Sequence, residues 1–399
     1  MNILCVYRVY WPETSALIYH SIFEKLVQDK HTVTVFTGQP NYNDVSYKKQ
    51  PAYTNLNGVN IIRVPLLPER KKIKWLRFLN FTIYSMLAMI HVFKNRNYDL
   101  IIVYSYPPFI TPGVVRYIKK ILKIPYIYHC ADIQPESSIA AETLPDNWFQ
   151  EILIKVETKN CLDANVVVTL STDMSNILLE KGLRKENISI INNFMPKIYG
   201  DGNILPSQLI ERKENDFLIL FAGNLGNFQG LDKIIEAAKI LKENIQIKFI
   251  FMGAGLAKDA LLQQSSELLG KTVFFIQSQP LNTAFAMMEY SDIGMISLKQ
   301  DIYKYAYPSK TMVYLAAGCP LIALVESESE LAGEIINKNL GYVCPQNDPL
   351  KIAEIINRAW KERNDWSDKR EEIKKTAEEL FGRDAAVDKW SKIIKNLPL

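Results

Sequence analysis

The 399 residues, 48% of them hydrophobic and 23% charged, are more than one core usually holds and predict two or three domains. The 17 glycines and 19 prolines are too few for a collagenous or low-complexity chain, and the apolar content excludes intrinsic disorder. With 47 Lys and Arg against 43 Asp and Glu, the formal net charge is only +4, which implies no nucleic-acid partner.

The opening residues, Met-Asn-Ile-Leu-Cys-Val-Tyr, are apolar from Ile3 and lack a basic region followed by a long hydrophobic stretch. They read as a first strand and not as a signal peptide. Trp11-Pro12-Glu13-Thr14-Ser15 then precedes a helical pattern over 16–29. Thr14 or Ser15 would cap that helix, while their place after a strand's carboxyl end leaves a ligand role open. Further strands are predicted at 32–37, 59–64, 99–104, 125–130 and 164–169, and a helix over 110–122. Strands apolar on both faces and alternating with helices mean a parallel sheet covered on both sides.

Two basic clusters fall in this part of the chain, Arg70, Lys71, Lys72, Lys74 and Arg77, then Arg116, Lys119, Lys120 and Lys123. They would give one face a positive field. The apolar stretch Phe78 to Ile90 carries Asn80, Thr82, Tyr84 and Ser85. It is shorter than the roughly 20 residues that span a bilayer, so no transmembrane helix is predicted. Cys5, Cys130, Cys161, Cys319 and Cys344, odd in number and set among apolar residues, read as reduced core residues of a cytosolic protein.

The strand ending at Cys130 leads into Asp132-Ile-Gln-Pro-Glu136. Two carboxylates four residues apart, one just after a strand, suit acid, base or hydroxyl-orienting work. The alternative is that Asp132 caps a turn before Pro135. His129 alternates within the strand and reads as a core histidine. The pattern breaks over 192–215, with Gly200, Gly202, Pro206 and a charged run. Strands resume at 217–222, 246–252, 272–276, 292–298 and 320–324. The predicted organisation is an α/β chain with a first Rossmann-like domain over 1–195, a linker over 196–215, a second such domain over 216–375 and a terminal amphipathic helix over 376–399.

Ligands of such sheets bind at the carboxyl ends of the strands. In the second domain the first strand runs into Gly223-Asn224-Leu225-Gly226-Asn-Phe-Gln229-Gly230 and then a helix. Glycines there let the backbone approach a phosphate, and a helix N-terminus offers free N–H groups; an ordinary strand-to-helix turn is the equal alternative. The spacing is neither the Walker pattern nor the dinucleotide fingerprint. Gly253-Ala-Gly255 adds a second glycine turn at the same sheet edge. In Tyr305-Ala-Tyr-Pro308-Ser309-Lys310, a lysine in the first turn of a helix opposes the helix dipole, a conflict that an anionic ligand would remove. The four histidines, none within five residues of another, provide no zinc site, and there is neither an Asp-x-Asp pair nor a Gly-x-Ser-x-Gly elbow.

Taken in order, Tyr10-Trp-Pro-Glu13, Thr37-Gly-Gln-Pro-Asn-Tyr42, Asn57-Gly-Val-Asn-Ile-Ile-Arg-Val-Pro65, Ser105-Tyr-Pro-Pro108, Asp132-Ile-Gln-Pro-Glu-Ser137, Gly223 to Gly230 and Pro308-Ser-Lys310 with Ala-Ala-Gly318 resemble glycosyltransferase family 4. The narrower likeness is to the bacterial polysaccharide-cluster branch that includes N-acetyl-L-fucosamine transferases. The resemblance covers nearly the whole chain. It implies a GT-B fold: two Rossmann-like domains facing a central cleft, with a C-terminal helix crossing back to the first.

It further implies a retaining, metal-independent glycosyltransferase without a cofactor, taking a UDP- or GDP-sugar donor. The donor would lie on Gly223, Asn224, Leu225, Gly226, Gln229, Gly253, Pro308, Ser309 and Lys310. Asp132, with Glu136 as second choice, would act on the acceptor hydroxyl, and Glu13, Thr14 and Ser15 would form an acceptor-side loop. Many members carry a Glu pair at the positions of Tyr305 and Val313, neither of which takes hydrogen bonds from ribose hydroxyls as a carboxylate would. The expected acceptor is a polyprenyl-diphosphate-linked saccharide of O-antigen, capsule or exopolysaccharide synthesis. The chain would be cytoplasmic, peripheral on the inner face of the membrane, and held to anionic lipid by residues 70–84. A non-hydrolysing sugar-nucleotide epimerase and a catalytically weak nucleotide-sugar-binding protein are the alternatives.

Overall fold

The computed structural model describes residues 1–13, 16–40, 49–67, 74–144, 148–196 and 204–397. The chain divides into two units, Met1–Ile139 with Leu144–Lys197 and Arg383–Leu399, and Ala140–Thr143 with Ile198–Gly382.

The elements of the first half are β1 (Asn2–Val6), α1 (Ala16–Gln28), β2 (Thr32–Gly38), β3 (Tyr53–Leu56), β4 (Val59–Val64), α2 (Lys74–Lys94), β5 (Leu100–Tyr104), α3 (Ile110–Leu122), β6 (Tyr126–Cys130), α4 (Glu136–Ala140), α5 (Trp148–Leu162), β7 (Val166–Thr169), α6 (Thr172–Glu180) and β8 (Ile188–Ile190). The strands order as β3-β4-β2-β1-β5-β6-β7-β8. All neighbours are parallel except β3 and β4. Ile-Leu-Cys-Val of β1 is buried along its length because helices cover both faces, as its unbroken apolar run requires. The exception at the edge is local: Asn57 and Gly58 both have positive φ and join β3 to β4 as a two-residue hairpin turn.

The helix α2 is longer than the apolar stretch suggested, and Trp75–Lys94 is long and apolar enough to cross a membrane. That judgement is of length and composition alone, and what it corrects is the length of the apolar stretch, counted from the sequence as only 78–90. Its polar residues tie it to the first unit instead of interrupting it. Asn80 Nδ2 donates to the Leu67 carbonyl at 2.8 Å, the Tyr84 hydroxyl to the Phe36 carbonyl at 2.8 Å, and the Ser85 and Thr111 hydroxyls share a hydrogen bond of 2.8 Å.

The second half consists of α7 (Pro206–Leu209), β9 (Phe217–Ala222), α8 (Asp232–Ile240), β10 (Ile247–Met252), α9 (Lys258–Gln264), β11 (Val273–Ile276), α10 (Leu281–Tyr290), β12 (Ile293–Ser297), α11 (Lys310–Ala316), β13 (Leu321–Leu324), α12 (Glu330–Asn337), β14 (Gly341–Cys344), α13 (Pro349–Lys361), α14 (Arg363–Asp368), α15 (Arg370–Phe381) and α16 (Arg383–Lys395). Its sheet is ordered β11-β10-β9-β12-β13-β14 and is parallel throughout. The segment 196–215, read as a linker, contains α7, and residues 197–203 lie outside the described part.

The chain re-enters the first unit at Arg383 and not at 376. Helix α15 stays in the second because the Arg370 guanidinium holds the Ser291 and Glu289 carbonyls at 2.9 and 2.7 Å. Helix α16 then buries Trp390 and Ile394 in the core that α1 and β1 build. All five cysteines are free and buried.

Candidate active site

The second sheet changes direction between β9 and β12, since β10 and β11 lie on one side of this pair and β13 and β14 on the other. Such a switch point is where an open α/β sheet receives a ligand, and the Gly223 to Gly230 loop leaves β9 there. Gly223 has φ +129° and Gly230 φ +54°. A Cβ at Gly223 would fall 2.3 Å from Lys310 Cε, and one at Gly253 would fall 1.8 Å from the Gly223 carbonyl oxygen. These two glycines therefore let two loops and a lysine meet at van der Waals distance, which no side chain would permit.

The loop is pinned on several sides. The Gly226 N–H donates to Gln229 Oε1 at 3.2 Å, the Lys299 N–H to the Phe228 carbonyl at 2.8 Å, Gln346 Nε2 to the Gly230 carbonyl at 2.7 Å, and the Ser297 hydroxyl to the Gln229 carbonyl. Gln229 thus spends its side chain on the loop itself. Leu225 is buried and serves the core, whereas Asn224 is exposed beside Gly226.

Lys310 begins α11, and its Nζ sits 3.9 Å from the centre of the Phe221 ring. It is half-buried with no acidic partner among the described residues, and burial pushes its ammonium down to about 7. Pro308 is half-buried, and Ser309 is exposed at the start of α11 without a side-chain cap. Tyr305 and Val313 are half-buried on either side of Lys310 in sequence, Tyr305 closing a short turn and Val313 lying within the helix.

In the first unit, Asp132 follows β6 and is exposed, and its carboxylate has no hydrogen-bond or ion-pair partner among the described residues. Desolvation pushes the carboxyl up to about 6. The charge of Asp132 in turn adds to burial in raising the phenols of Tyr19 and Tyr104, whose hydroxyls are hydrogen-bonded to each other at 2.5 Å. Glu136 has a different situation. One carboxylate oxygen is held by Lys181 Nζ and the side chain is only 14% exposed, so it is committed to an ion pair that joins α4 to the end of α6.

Glu13 is buried, its N–H donating to the Tyr10 carbonyl at 3.2 Å; Thr14 and Ser15 lie outside the described residues. His129 is a core residue, hydrogen-bonded through Nδ1 to the Tyr7 hydroxyl at 2.8 Å and pushed down to about 3 by burial. Phe221, Ser297, Tyr314 and Gln346 escaped the sequence reading. Strand-end positions hinted at Phe221, Ser297 and Gln346, whereas nothing local marked Tyr314, which lies within α11.

Two family models match the chain. Residues 17–193 fit the model described as glycosyl transferase 4-like domain, and residues 207–380 the model described as glycosyl transferases group 1. The chain belongs to the glycosyltransferases of the GT-B fold. Among similar proteins, the probable glycosyltransferase WbjE of Pseudomonas aeruginosa is 24% identical over 236 residues, 56% of this chain and 57% of that protein. The putative colanic acid biosynthesis glycosyl transferase WcaI of Escherichia coli (strain K12) is 24% identical over 353 residues, 83% of this chain and 85% of that protein. The match to WbjE thus spans just over half of that relative's length. Among solved structures, the sucrose-phosphate synthase of Thermosynechococcus elongatus has a TM-score of 0.74 at 13% identity, covering 99% of this chain and 98% of its own. Anabaena Alr3699/HepE in complex with UDP-glucose has a TM-score of 0.70 at 16% identity over 100% of both chains. Both likenesses concern the fold.

Proposed function

We propose that this glycosyltransferase moves a sugar from a UDP- or GDP-sugar, with retention of configuration and without a metal, onto a saccharide acceptor in bacterial polysaccharide synthesis. The observation that carries this reading is Lys310. A half-buried cation stacked on Phe221, touching the glycine loop at a sheet switch point and without an acidic partner among the described residues, is built for an anion. A donor diphosphate on Gly223 to Gly230 would supply it, and Lys310 would stabilise the charge that develops on the leaving nucleotide. WcaI, whose name refers to colanic acid, and HepE, solved with UDP-glucose, support the substrate class. The finer likeness to N-acetyl-L-fucosamine transferases belongs to the same reading. Asp132 would orient or deprotonate the acceptor hydroxyl, and its raised carboxyl suits a base working near neutral pH. Glu136, engaged with Lys181, is the weaker choice.

The acceptor is taken to be linked to polyprenyl diphosphate, with the chain peripheral on the inner face of the cytoplasmic membrane. Helix α2 supports this. It contains no Asp or Glu, has Arg77 near one end and Lys94 at the other, and exposes Trp75, Phe78, Leu79, Met86 and Ile90. An apolar stripe with a cation near each end of its helix and no acid on it fits an anionic bilayer surface. Of the basic residues first assigned to docking, Arg70, Lys71 and Lys72 lie outside the described part.

Calorimetry with UDP and GDP on the wild type and on Lys310→Ala tests the donor site. The expected result is binding of one of the two by the wild type and a loss of at least about tenfold in the variant. Equal affinities would remove the assignment.

A further inference from the structure

The donor loop is braced from below by a side chain outside it. Strands β9 and β12 pair only through Ile293 with Ile219 and Gly294 with Leu220. By contrast, β9 stays paired to β10 as far as Ala222 with Met252, and β12 to β13 as far as Ser297 with Leu324. The ladder at the switch point therefore opens before the glycine loop begins.

The phenol of Tyr314 fills the opening. Its hydroxyl accepts from the Ala222 N–H at 2.8 Å and donates to the Leu220 carbonyl at 2.8 Å. One fully buried side chain thus satisfies the Ala222 N–H, which lies beyond the last β9–β12 pair, and anchors itself on the Leu220 carbonyl, the last β9 residue of that ladder. Gly294 makes the room, since a Cβ there would meet the ring at 2.5 Å. Tyr314 also stands four residues after Lys310 on α11, one turn along the same face. The same short helix thus places a cation against Gly223 and a strut under Ala222, the residue before it.

We propose that Tyr314 is a positioning residue of the donor site, fixing Ala222 and with it the distance between the Gly223 loop and Lys310. This rests on the reading of that loop and Lys310 as the donor site. If the phenol only completed the sheet, its loss would lower stability without changing nucleotide affinity.

The test uses the full chain, UDP and GDP as probes, calorimetric Kd and the melting temperature without ligand. Tyr314→Phe keeps the ring in the gap and removes both hydrogen bonds. Gly294→Ala leaves the hydroxyl and crowds the ring from the other side. Each should weaken nucleotide binding about tenfold, and the double variant should be no weaker than the worse single one, because both act through one contact. Unchanged Kd in Tyr314→Phe, with or without a lower melting temperature, overturns the proposal. If that variant does not fold, unchanged Kd in Gly294→Ala does so. Lys310→Ala separates the two levels: if it weakens binding while the other variants do not, only the positioning role fails, and if it has no effect the donor-site reading fails with it.

Discussion

The Lys310 ammonium and the Phe221 ring are 3.9 Å apart, a cation over a π-face directly beneath the glycine loop. Such a contact contributes roughly 0.5–2 kcal/mol and holds the charge where water is partly excluded. Because burial lowers the ammonium to about 7, Lys310 is charged below that pH and progressively neutral above it. Affinity for UDP or GDP should therefore fall as pH rises from 6 to 9, measured by titration calorimetry at each pH. A flat profile would mean that the lysine does not bind the anion in its charged form.

The same residue predicts an opposition between stability and binding. A lysine whose folded pKa lies below its unfolded value disfavours the folded state at low pH, and that deficit disappears as pH rises through the unfolded value. Lys310→Met should melt higher than the wild type at pH 6, show a smaller difference at pH 10, and gain no stabilisation from added nucleotide. Differential scanning fluorimetry with and without UDP or GDP measures all three.

Asp132 carries the acceptor-side prediction. Asp132→Asn should reduce kcat by about 10²–10⁴-fold with donor Kd unchanged. With the carboxyl near 6, activity of the wild type should decline as pH falls through that value, because the base becomes protonated. Glu136→Gln should instead lower the melting temperature, since it leaves Lys181 without its partner.

Helix α2 predicts lipid dependence. Wild-type chain should co-sediment with vesicles containing about a third phosphatidylglycerol and stay in solution with purely zwitterionic ones. The double change Trp75→Ser and Phe78→Ser should abolish sedimentation with donor binding intact, as both side chains are exposed. Sedimentation indifferent to anionic lipid would remove the membrane reading.

Trp390 tests the return of the C-terminal helix. It is buried in the first unit with its ring edge-on to His129, centroids 5.0 Å apart. Trp390→Ala should cost about 3–5 kcal/mol in urea unfolding. A cost under about 1 kcal/mol would show that α16 adds little to that core.

Much of the architecture is legible in the sequence because parallel strands covered on both faces are unbroken apolar runs, and those predicted at 32–37, 59–64, 217–222 and 246–252 fall on β2, β4, β9 and β10. Three strands escaped. β3, β8 and β14 are short, and the Asn57-Gly58 hairpin signal before β4 was the one available clue to β3. The polar residues of α2 misled for a related reason: Asn80, Tyr84 and Ser85 look like interruptions of an apolar stretch but are satisfied by backbone and side-chain groups far along the chain.

By itself the sequence determined two parallel-sheet domains, the glycine loop after β9 and the lysine of α11, since each is a local pattern of a few residues. Tertiary structure alone decided which of these carry chemistry. Asp132 and Glu136 stand four residues apart with Asp132 the first choice, and it is folding that leaves the Asp132 carboxylate open and gives Glu136 to Lys181. Phe221 and Tyr314 read as ordinary core aromatics until the strand order places one beneath Lys310 and the other in the gap between β9 and β12. Periodicity reports which face of an element is apolar. The strand order decides what meets that face, and hydrogen bonds such as Tyr314 to Leu220 join residues that no local pattern links.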